Sequence, residues 1–331
     1  MPRLTAPREA DKLASLFREI PIPTKQAGRF EALYPYLLLT LCMVIWSGNW
    51  VLGRAVRDDV PPVVLTFARW GISAICLAPL AIPRLKGKGA ILKRHAGLIA
   101  TLGFLGVGFF QIAVYTGLRF TGAINAVLMN SVAPMFIIAI TWLIDGDRVT
   151  PRQFLGMLIS FAGIVVIVTR GEFEQLLHLH FNIGDLIIFF AMPAWGFYCV
   201  LLRRVPKSLD TLGLLFAVNI AGLVMIAPAA AVEVLFFQAP RWTLFNLGAV
   251  LYIGVFASFL AYICWNRGVE LVGANRAGFT THLLPAFTAL LAVVFLGEEL
   301  HPYHIVGIAV VLFGVYLATS ARRKAVAIAV D

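Results

Sequence analysis

Charge is scarce in this sequence. Only 13% of the 331 residues are Asp, Glu, Lys or Arg, and 60% are apolar. Soluble globular chains carry about 25% charged and about 45–50% apolar residues. A soluble chain of this length could not bury so much apolar surface, because a single hydrophobic core stops growing at roughly 250–300 residues. The composition therefore excludes a soluble enzyme, a disordered protein and a disulfide scaffold, and it predicts a protein embedded in lipid.

Motifs that carry catalysis or bind metals are also missing. The sequence has no paired aspartates within an apolar run, no Gly-x-Ser-x-Gly loop and no His-Glu-x-x-His helix, so we do not expect an intramembrane enzyme. We predict no catalytic residue, no metal site and no cofactor. A receptor or a non-transporting scaffold stays open at this point. Four cysteines lie in apolar stretches without metal-ligand spacing and are interpreted as core residues: Cys42, Cys76, Cys199 and Cys264.

Long apolar runs fill most of the chain. A spanning helix needs about 20 mostly apolar residues, because the hydrocarbon core of a bilayer is about 30 Å thick. We therefore predict an all-α integral membrane protein with ten transmembrane helices. The predicted spans are approximately 34–54, 62–83, 96–118, 122–144, 151–169, 183–203, 211–235, 244–267, 274–296 and 302–320.

The net charge of +10 is distributed unevenly. With the N-terminus placed inside, 21 of the 27 Lys and Arg residues fall in inner segments and five in outer ones. Cytoplasmic loops of membrane proteins carry such an excess. We therefore predict that residues 1–33 and 321–331 are cytoplasmic tails, and that the charge does not mark a nucleic-acid-binding protein. The first tail fits either a short helix on the membrane surface or a mobile segment.

An internal repeat predicts the architecture. Displaced by 151 residues, positions 117–163 match 268–314 at ten identities without a gap. The first half, 34–169, and the second half, 183–320, then have five predicted spans each. Because five is odd, the second half enters the membrane upside down. Such an inverted five-plus-five repeat is common among secondary transporters, which bind substrate near the midplane between their halves.

Small residues mark the last span of each half. Gly156 and Gly163 are seven residues apart, and so are their repeat partners Gly307 and Gly314. Residues at this spacing lie on one helix face, and glycine lets two helix backbones approach closely. We expect spans five and ten to be scaffold helices.

Two prolines are predicted to kink helices in mid-membrane. Pro134 and its repeat partner Pro285 lie about twelve residues into spans four and nine, and proline removes a backbone N–H from a helix. The carbonyls and polar side chains around a kink are tolerated only where they face protein or a water-filled cavity. Alternatively, the side chains of Asn130 and Thr281 form hydrogen bonds within their own helices. His282 could carry a coupling proton or could make an interhelical hydrogen bond. The polar candidates at the two kinks are Asn130, Ser131, Thr281 and His282.

One basic residue and several aromatic ones lie within spans. Arg69 could hold the carboxylate of a substrate; alternatively, it snorkels outward or binds backbone carbonyls. Aromatic rings beside polar groups are typical of an amphipathic cavity for apolar or cationic ligands, although packing alone accounts for many single rings. The further cavity candidates are Trp46, Asn49, Gln111, Tyr115, Trp195, Tyr198 and Tyr262.

Two long segments carry a family resemblance. They read GAINAVLMNSVAPMF, continued by GDRVTPRQFLGMLISFAGIVVIV, and GANRAGFTTHLLPAFTALLAVVFLGEELHPYHIVGIAVVLFGVYL. With the ten-span pattern, they resemble the EamA family of the drug/metabolite transporter superfamily over about residues 35–320, and within it most closely the YddG-type aromatic amino acid exporters. The first half departs from the family pattern, with GDRVTP in place of the usual glutamate pair.

The resemblance implies a function. It implies alternating-access export across the bacterial inner membrane, with a cavity between spans one, three, four, six, eight and nine. We expect a secondary transporter of aromatic or neutral amino acids and related small metabolites. Its partners would be this substrate and the lipid bilayer, and a monomer is expected. The alternative is an exporter of aromatic or quaternary cations or of nucleotide-like metabolites.

Overall fold

Every regular element formed by the described residues is a helix. The computed structural model describes residues 29–146, 150–169, 171, 182–206, 208–272, 280–281 and 283–319. The helices of the first half are α1 (Arg29–Ala55), α2 (Pro62–Leu85), α3 (Gly89–Arg94), α4 (Ala96–Leu102), α5 (Phe110–Gly117), α6 (Ala123–Asn130), α7 (Ala133–Asp145) and α8 (Pro151–Val168). Those of the second half are α9 (Ile183–Leu202), α10 (Thr211–Val232), α11 (Leu244–Tyr252), α12 (Ala261–Val272), α13 (Leu283–Leu296) and α14 (Pro302–Thr319).

Three π-helical segments continue these helices without a gap. The segment π1 joins α4 to α5, π2 extends α10, and π3 joins α11 to α12. They are π1 (Gly103–Phe109), π2 (Glu233–Phe237) and π3 (Ile253–Leu260). A π-helix places its hydrogen bonds five residues apart and is frequent at functional sites.

The apolar helices agree in place with the predicted spans. Within the described residues, seven helical runs are long and apolar enough to cross a bilayer: Leu33–Ala55, Pro62–Leu85, Ala96–Gly117, Ala123–Asp145, Ile183–Leu202, Thr211–Phe237 and Leu244–Val269. Three apolar helices are shorter: Phe154–Ile167, Leu283–Leu296 and Pro302–Gly314. Helix length thus supports seven spans, and the count of ten stays a prediction. Part of the ninth predicted span, residues 273–279, lies outside the described residues.

The glycines of spans five and ten do allow a close helix contact, and the two spans pack against each other. A Cβ atom added to Gly163 of α8 would lie 2.8 Å from the backbone nitrogen of Val311 and 2.9 Å from the carbonyl oxygen of Gly307 in α14. A Cβ on Gly314 would overlap the backbone of α8 at Ser160. The two helix backbones therefore touch, and only glycine leaves room for this contact.

Span four is divided between two helices. The first, α6, ends at Asn130, a turn follows, and α7 begins at Ala133, so Pro134 is the second residue of α7. Pro285 is the third residue of α13. In a first turn proline gives up no helical hydrogen bond, because the N–H groups there have no partner within the helix. Both prolines thus lie in a first turn of a described helix, and the kinks in spans four and nine stay a prediction.

Carboxylates of the second half bind helix starts of the first half. Glu298 accepts hydrogen bonds from the backbone N–H groups of Ala123 at 2.7 Å and Ile124 at 3.1 Å, at the start of α6. Glu233 accepts one from Val64 at 2.8 Å, near the start of α2. The N-terminus of a helix has unpaired N–H groups and a partial positive charge, so these contacts are stabilising. We call this end of the bundle the Glu298 face.

Ion pairs join the halves at the opposite end, which we call the Asp210 face. Asp210 accepts a hydrogen bond from Gly213 at the start of α10, and it pairs with Lys88 at 3.3 Å and Arg84 at 3.7 Å. Asp145 of α7 pairs with Arg204 at 3.1 Å. The Glu298 face also has an ion pair between the halves, Arg241 with Asp59 at 3.7 Å, in addition to its carboxylate contacts with helix starts.

Candidate functional site

Arg69 is buried within α2, with 2% of its surface exposed. Its Nε donates a hydrogen bond to Ser258 Oγ at 2.8 Å. Its Nη1 donates to Gln111 Oε1 at 2.9 Å and to the Tyr115 hydroxyl oxygen at 2.6 Å. All three acceptors are side chains, so this arginine does not snorkel outward, and within the described residues it binds no backbone carbonyl.

Four elements from both halves bring these partners together. Gln111 and Tyr115 are four residues apart in α5 and therefore share a helix face. The Tyr115 hydroxyl donates to Asn49 Oδ1 of α1 at 2.6 Å, and Ser258 lies in π3 of the second half. We name the five side chains the Arg69 cluster: Asn49, Arg69, Gln111, Tyr115 and Ser258.

The π-helical segments position two members of the cluster. Besides accepting from Arg69, Ser258 Oγ donates to the carbonyl of Ile253 five residues earlier, at 2.8 Å. The matching segment of the first half, π1, ends at Phe109, directly before the turn that contains Gln111. Span three and span eight thus have π-helical parts at corresponding places, and both border the cluster.

A series of aromatic rings begins at the guanidinium group. The Trp70 ring centroid lies 5.2 Å from Arg69 Cζ and 5.8 Å from the Tyr262 ring. Tyr262 contacts Trp46 edge-on at 5.6 Å, and Trp46 lies 5.6 Å from Trp265. We name Trp70, Tyr262, Trp46 and Trp265 the aromatic chain. It joins spans one, two and eight and places a large apolar surface beside a fixed positive charge.

A second aromatic group lies against π1. Trp195 and Tyr198 of α9 stack with ring centroids 5.2 Å apart, and Trp195 lies 5.0 Å from Phe110. A Cβ added to Gly106 would lie 2.6 Å from the Tyr198 ring. No ring pair found among the described residues links these two predicted candidates to the aromatic chain. Tyr198 nevertheless packs with Tyr262 against the buried cluster that contains Trp70, so the second group borders the aromatic chain.

The residues at the two helix starts have a different environment. The Ser131 hydroxyl donates a hydrogen bond to the carbonyl of Val127 at 3.2 Å. This is a bond within one helix, of the kind expected as the alternative for Asn130. Asn130 and Thr281 are half-buried, and His282 lies outside the described residues. Within the described part of the chain, no hydrogen bond joins Asn130 or Ser131 to the Arg69 cluster.

Sequence reasoning missed two residues of the site. Trp70 directly follows Arg69, and Ser258 is the single serine of span eight. A serine in an otherwise apolar span and a tryptophan next to a buried arginine were the available signals. Span two, which carries Arg69, was also absent from the set of cavity spans that the family resemblance implied.

Known proteins match nearly the whole of the chain. A sequence model of the EamA-like transporter family matches residues 33–169 and again residues 182–320. An uncharacterized transporter of Bacillus subtilis (strain 168), YyaM, is 27% identical over 87% of this chain and 94% of its own. A probable terminal-alkyne amino-acid exporter of Streptantibioticus cattleyicolor is 24% identical over 86% of this chain and 94% of its own.

The fold also matches a solved structure. One crystal structure superimposes with a TM-score of 0.58 at 20% sequence identity and covers 88% of this chain and 98% of that one. At this identity the likeness shows a shared fold. The family match covers both halves of the chain, so it assigns the chain to a family as well as to a fold. The protein is a multi-pass membrane protein that belongs to the EamA-like transporter family.

Proposed function

We propose that the protein is a secondary transporter that exports aromatic or neutral amino acids and related small metabolites across the bacterial inner membrane. The family consists of transporters, and one relative is named a probable amino-acid exporter. The absence of catalytic motifs in the sequence agrees with transport rather than catalysis. The proposed mechanism is alternating access between two inverted halves of five spans each.

The observation that carries the proposal is the Arg69 cluster beside the aromatic chain. Arg69, Gln111 and Tyr115 come from the first half and Ser258 from the second, so the polar group is shared between the halves. Arg69 lies seven residues into α2, or about 10 Å along that helix. A buried, polar and aromatic site between two halves is where an alternating-access transporter binds its substrate.

The irregular helices favour movement around this site. Span four is divided between α6 and α7, and spans three and eight contain π1 and π3, while α8 and α14 are unbroken and pack backbone to backbone. Helix breaks and π-helical segments are places where a helix can change its path. We propose that the halves move about these elements, with α8 and α14 as a fixed frame.

The charges at the two ends support an orientation. Basic residues are frequent on the Asp210 face, where Arg84, Lys88, Arg203 and Arg204 all contact acidic partners. By the excess of positive charge on cytoplasmic loops, we propose that the Asp210 face is cytoplasmic and the Glu298 face is extracytoplasmic. Export would then move substrate from the Asp210 face to the Glu298 face.

An exporter of aromatic cations is the second candidate. Aromatic rings bind cations through their faces, and the aromatic chain has four rings. Arg69, however, already lies over the face of Trp70, at 5.2 Å. The positive charge of Arg69 at this end of the aromatic chain would repel a bound cation, which favours the amino-acid proposal.

Counterflow in proteoliposomes tests the proposed function. Purified protein is reconstituted, the vesicles are loaded with unlabelled compound, and uptake of labelled compound is followed for the twenty amino acids and for a panel of quaternary ammonium ions. We expect saturable uptake of at least one neutral amino acid, reduced about ten-fold or more in Trp46→Ala. Phe236→Ala, at a side chain that is 77% exposed, is the matched control and should transport normally.

Two results would contradict the proposal. Uptake of quaternary ammonium ions without any amino acid would replace it with the cation exporter. No uptake above protein-free vesicles in either panel, from protein that elutes as a single folded species, would leave the amino-acid proposal without support and reject it for these compounds.

A further inference from the structure

The hydrogen bonds of the Arg69 cluster have one possible direction. Arginine only donates, so Gln111 must present its carbonyl oxygen to Nη1. The Tyr115 oxygen also accepts from Nη1, and its hydroxyl donates to the carbonyl oxygen of Asn49. Ser258 accepts from Nε and donates to Ile253. The orientation of the Gln111 amide follows from the arginine donor, and Asn49 presents Oδ1 to the tyrosine in this structure.

These hydrogen bonds use the acceptor atoms of the cluster, while three of its donor groups are not used. Among the described residues, Arg69 Nη2, Gln111 Nε2 and Asn49 Nδ2 make no hydrogen bond. All three side chains are buried, with 2%, 7% and 8% of their surfaces exposed. These three donor atoms are not among the fully buried polar atoms without a partner, so each keeps some accessible surface from which it can bind a ligand. The indole N–H of neighbouring Trp70 is fully buried without a partner, which is costly for a donor.

The charge of the cluster is also unbalanced. Four of its five side chains are neutral, and within the described part of the chain no carboxylate forms a salt bridge with Arg69. A buried ion without a counter-ion is costly, because an interior of low polarity does not replace its hydration. An acceptor-rich group with a single negative charge would balance both the charge and the unused donors.

We propose, on the basis of the proposed function, that the Arg69 cluster binds the carboxylate of the transported compound. Arg69 Nη2 and the amide N–H groups of Gln111 and Asn49 donate to the two carboxylate oxygens, and the aromatic chain receives an apolar or aromatic side chain. A carboxylate has only acceptor sites and forms strong hydrogen bonds with guanidinium. The ligand class is thus an amino acid or monocarboxylate with an apolar side chain.

The same geometry disfavours two other ligand classes. A compound that carries an ammonium group without a carboxylate would meet a like charge at short range in a poorly polar environment. A phosphate ester carries up to two negative charges, and the cluster offers one cation. Amines should therefore bind most weakly, and phosphate esters more weakly than carboxylates.

A matched ligand series tests this inference. The probes are L-phenylalanine, 3-phenylpropionate, phenethylamine and benzyl phosphate, together with L-leucine, 4-methylpentanoate and isopentylamine. Binding is measured by the ligand-induced rise in melting temperature of the detergent-purified protein and by competition with amino-acid counterflow. We expect the two amino acids and their carboxylic acids to bind at least ten-fold more tightly than the corresponding amines, with benzyl phosphate between them.

Variants of the arginine sharpen the result. Arg69→Gln should lose the preference for carboxylates, and Arg69→Lys should keep the charge but bind several-fold more weakly because it lacks the second nitrogen. Arg57→Gln, at a partly exposed arginine on the Glu298 face that pairs with Asp58, is the control and should behave as the wild type. If a variant does not fold, the wild-type series alone decides.

The outcomes separate this inference from the proposed function. Amines that bind or are transported as well as amino acids would overturn the inference and leave a transporter. An Arg69→Gln protein that keeps the preference for carboxylates would place their recognition elsewhere and also overturn it. If no compound of the series binds while another amino acid is transported, the proposed ligand class is wrong and the proposed function stands.

Discussion

Gly163 and Gly314, in the helix pair α8 and α14, differ from Gly106, near the Arg69 cluster, in what a side chain at each position would meet. Gly163 and Gly314 bring two backbones into contact, and both helices run unbroken for 18 residues. Beside the cluster, Gly106 of π1 faces the ring of Tyr198, and the helices there are interrupted. A backbone contact cannot adjust, whereas a ring can rotate or move aside. Gly103 of π1 and Gly117 of α5 do meet backbone atoms, of Gly222 and Gly184, so Gly106 is an adjustable position in a region that also has fixed contacts.

The largest effect is expected where the backbones touch. Gly314→Ala should lower the free energy of unfolding by about 3 kcal/mol, because overpacking of this kind costs about 1–3 kcal/mol and the atoms in contact are backbone atoms of α8. Thermal unfolding of the purified protein measures it. Gly248→Ala is the matched control, because its Cβ would meet nothing within 4 Å, and it should melt at or slightly above the wild-type temperature. Equal melting temperatures for the two variants would contradict the fixed contact.

A smaller and different effect is expected from the same substitution beside the site. Gly106→Ala pushes on the Tyr198 ring, whose stacking partner is Trp195. We expect transport to fall about ten-fold, which corresponds to about 1.4 kcal/mol, while the melting temperature changes little because the ring can move. Counterflow and thermal unfolding are measured on the same preparation. The comparison between the two regions fails if this variant is as unstable as Gly314→Ala.

The smallest effect is expected from a matched pair of serines. Ser258→Ala removes the acceptor of Arg69 Nε and should raise the substrate KM about five-fold, because a hydrogen bond to a charged group contributes about 1.5–3 kcal/mol and water can replace part of it. Ser131→Ala removes only a bond to Val127 of its own helix and should change KM less than two-fold. Equal effects would mean that the Arg69 cluster has no special role in binding.

Much of the fold could be predicted from the sequence. Apolar runs located each span because a bilayer demands about 20 apolar residues whatever their order. The glycines of spans five and ten were informative because their spacing defines a single helix face. The first-turn positions of Pro134 and Pro285 could not be located from the sequence, because proline is compatible with a helix start and with a kink, and neighbouring side chains decide between them. The π-helical segments have no residue pattern of their own, so they could not be located.

The sequence predicted which residues form the candidate site better than it predicted the contacts among them. Asn49, Arg69, Gln111 and Tyr115 were all chosen from the sequence, and the structure joins them through hydrogen bonds. Ser258 is 189 positions from Arg69 and in the other half, where no local pattern connects the two residues. Trp195 and Tyr198 stack on each other and make no hydrogen bond to the Arg69 cluster among the described residues, and Tyr198 borders Tyr262 through the buried cluster around Trp70.

The most direct measurement is an experimental structure with a bound amino acid. The central claim is that the Arg69 cluster holds the carboxylate of the transported compound. With L-phenylalanine or L-leucine bound, we predict a carboxylate oxygen about 2.7–2.9 Å from Arg69 Nη2, within reach of the amide nitrogen of Gln111 or Asn49, and the side chain against Trp46 and Tyr262. A ligand with its ammonium group toward Arg69, or one bound elsewhere while the cluster keeps its present hydrogen bonds, would contradict the claim.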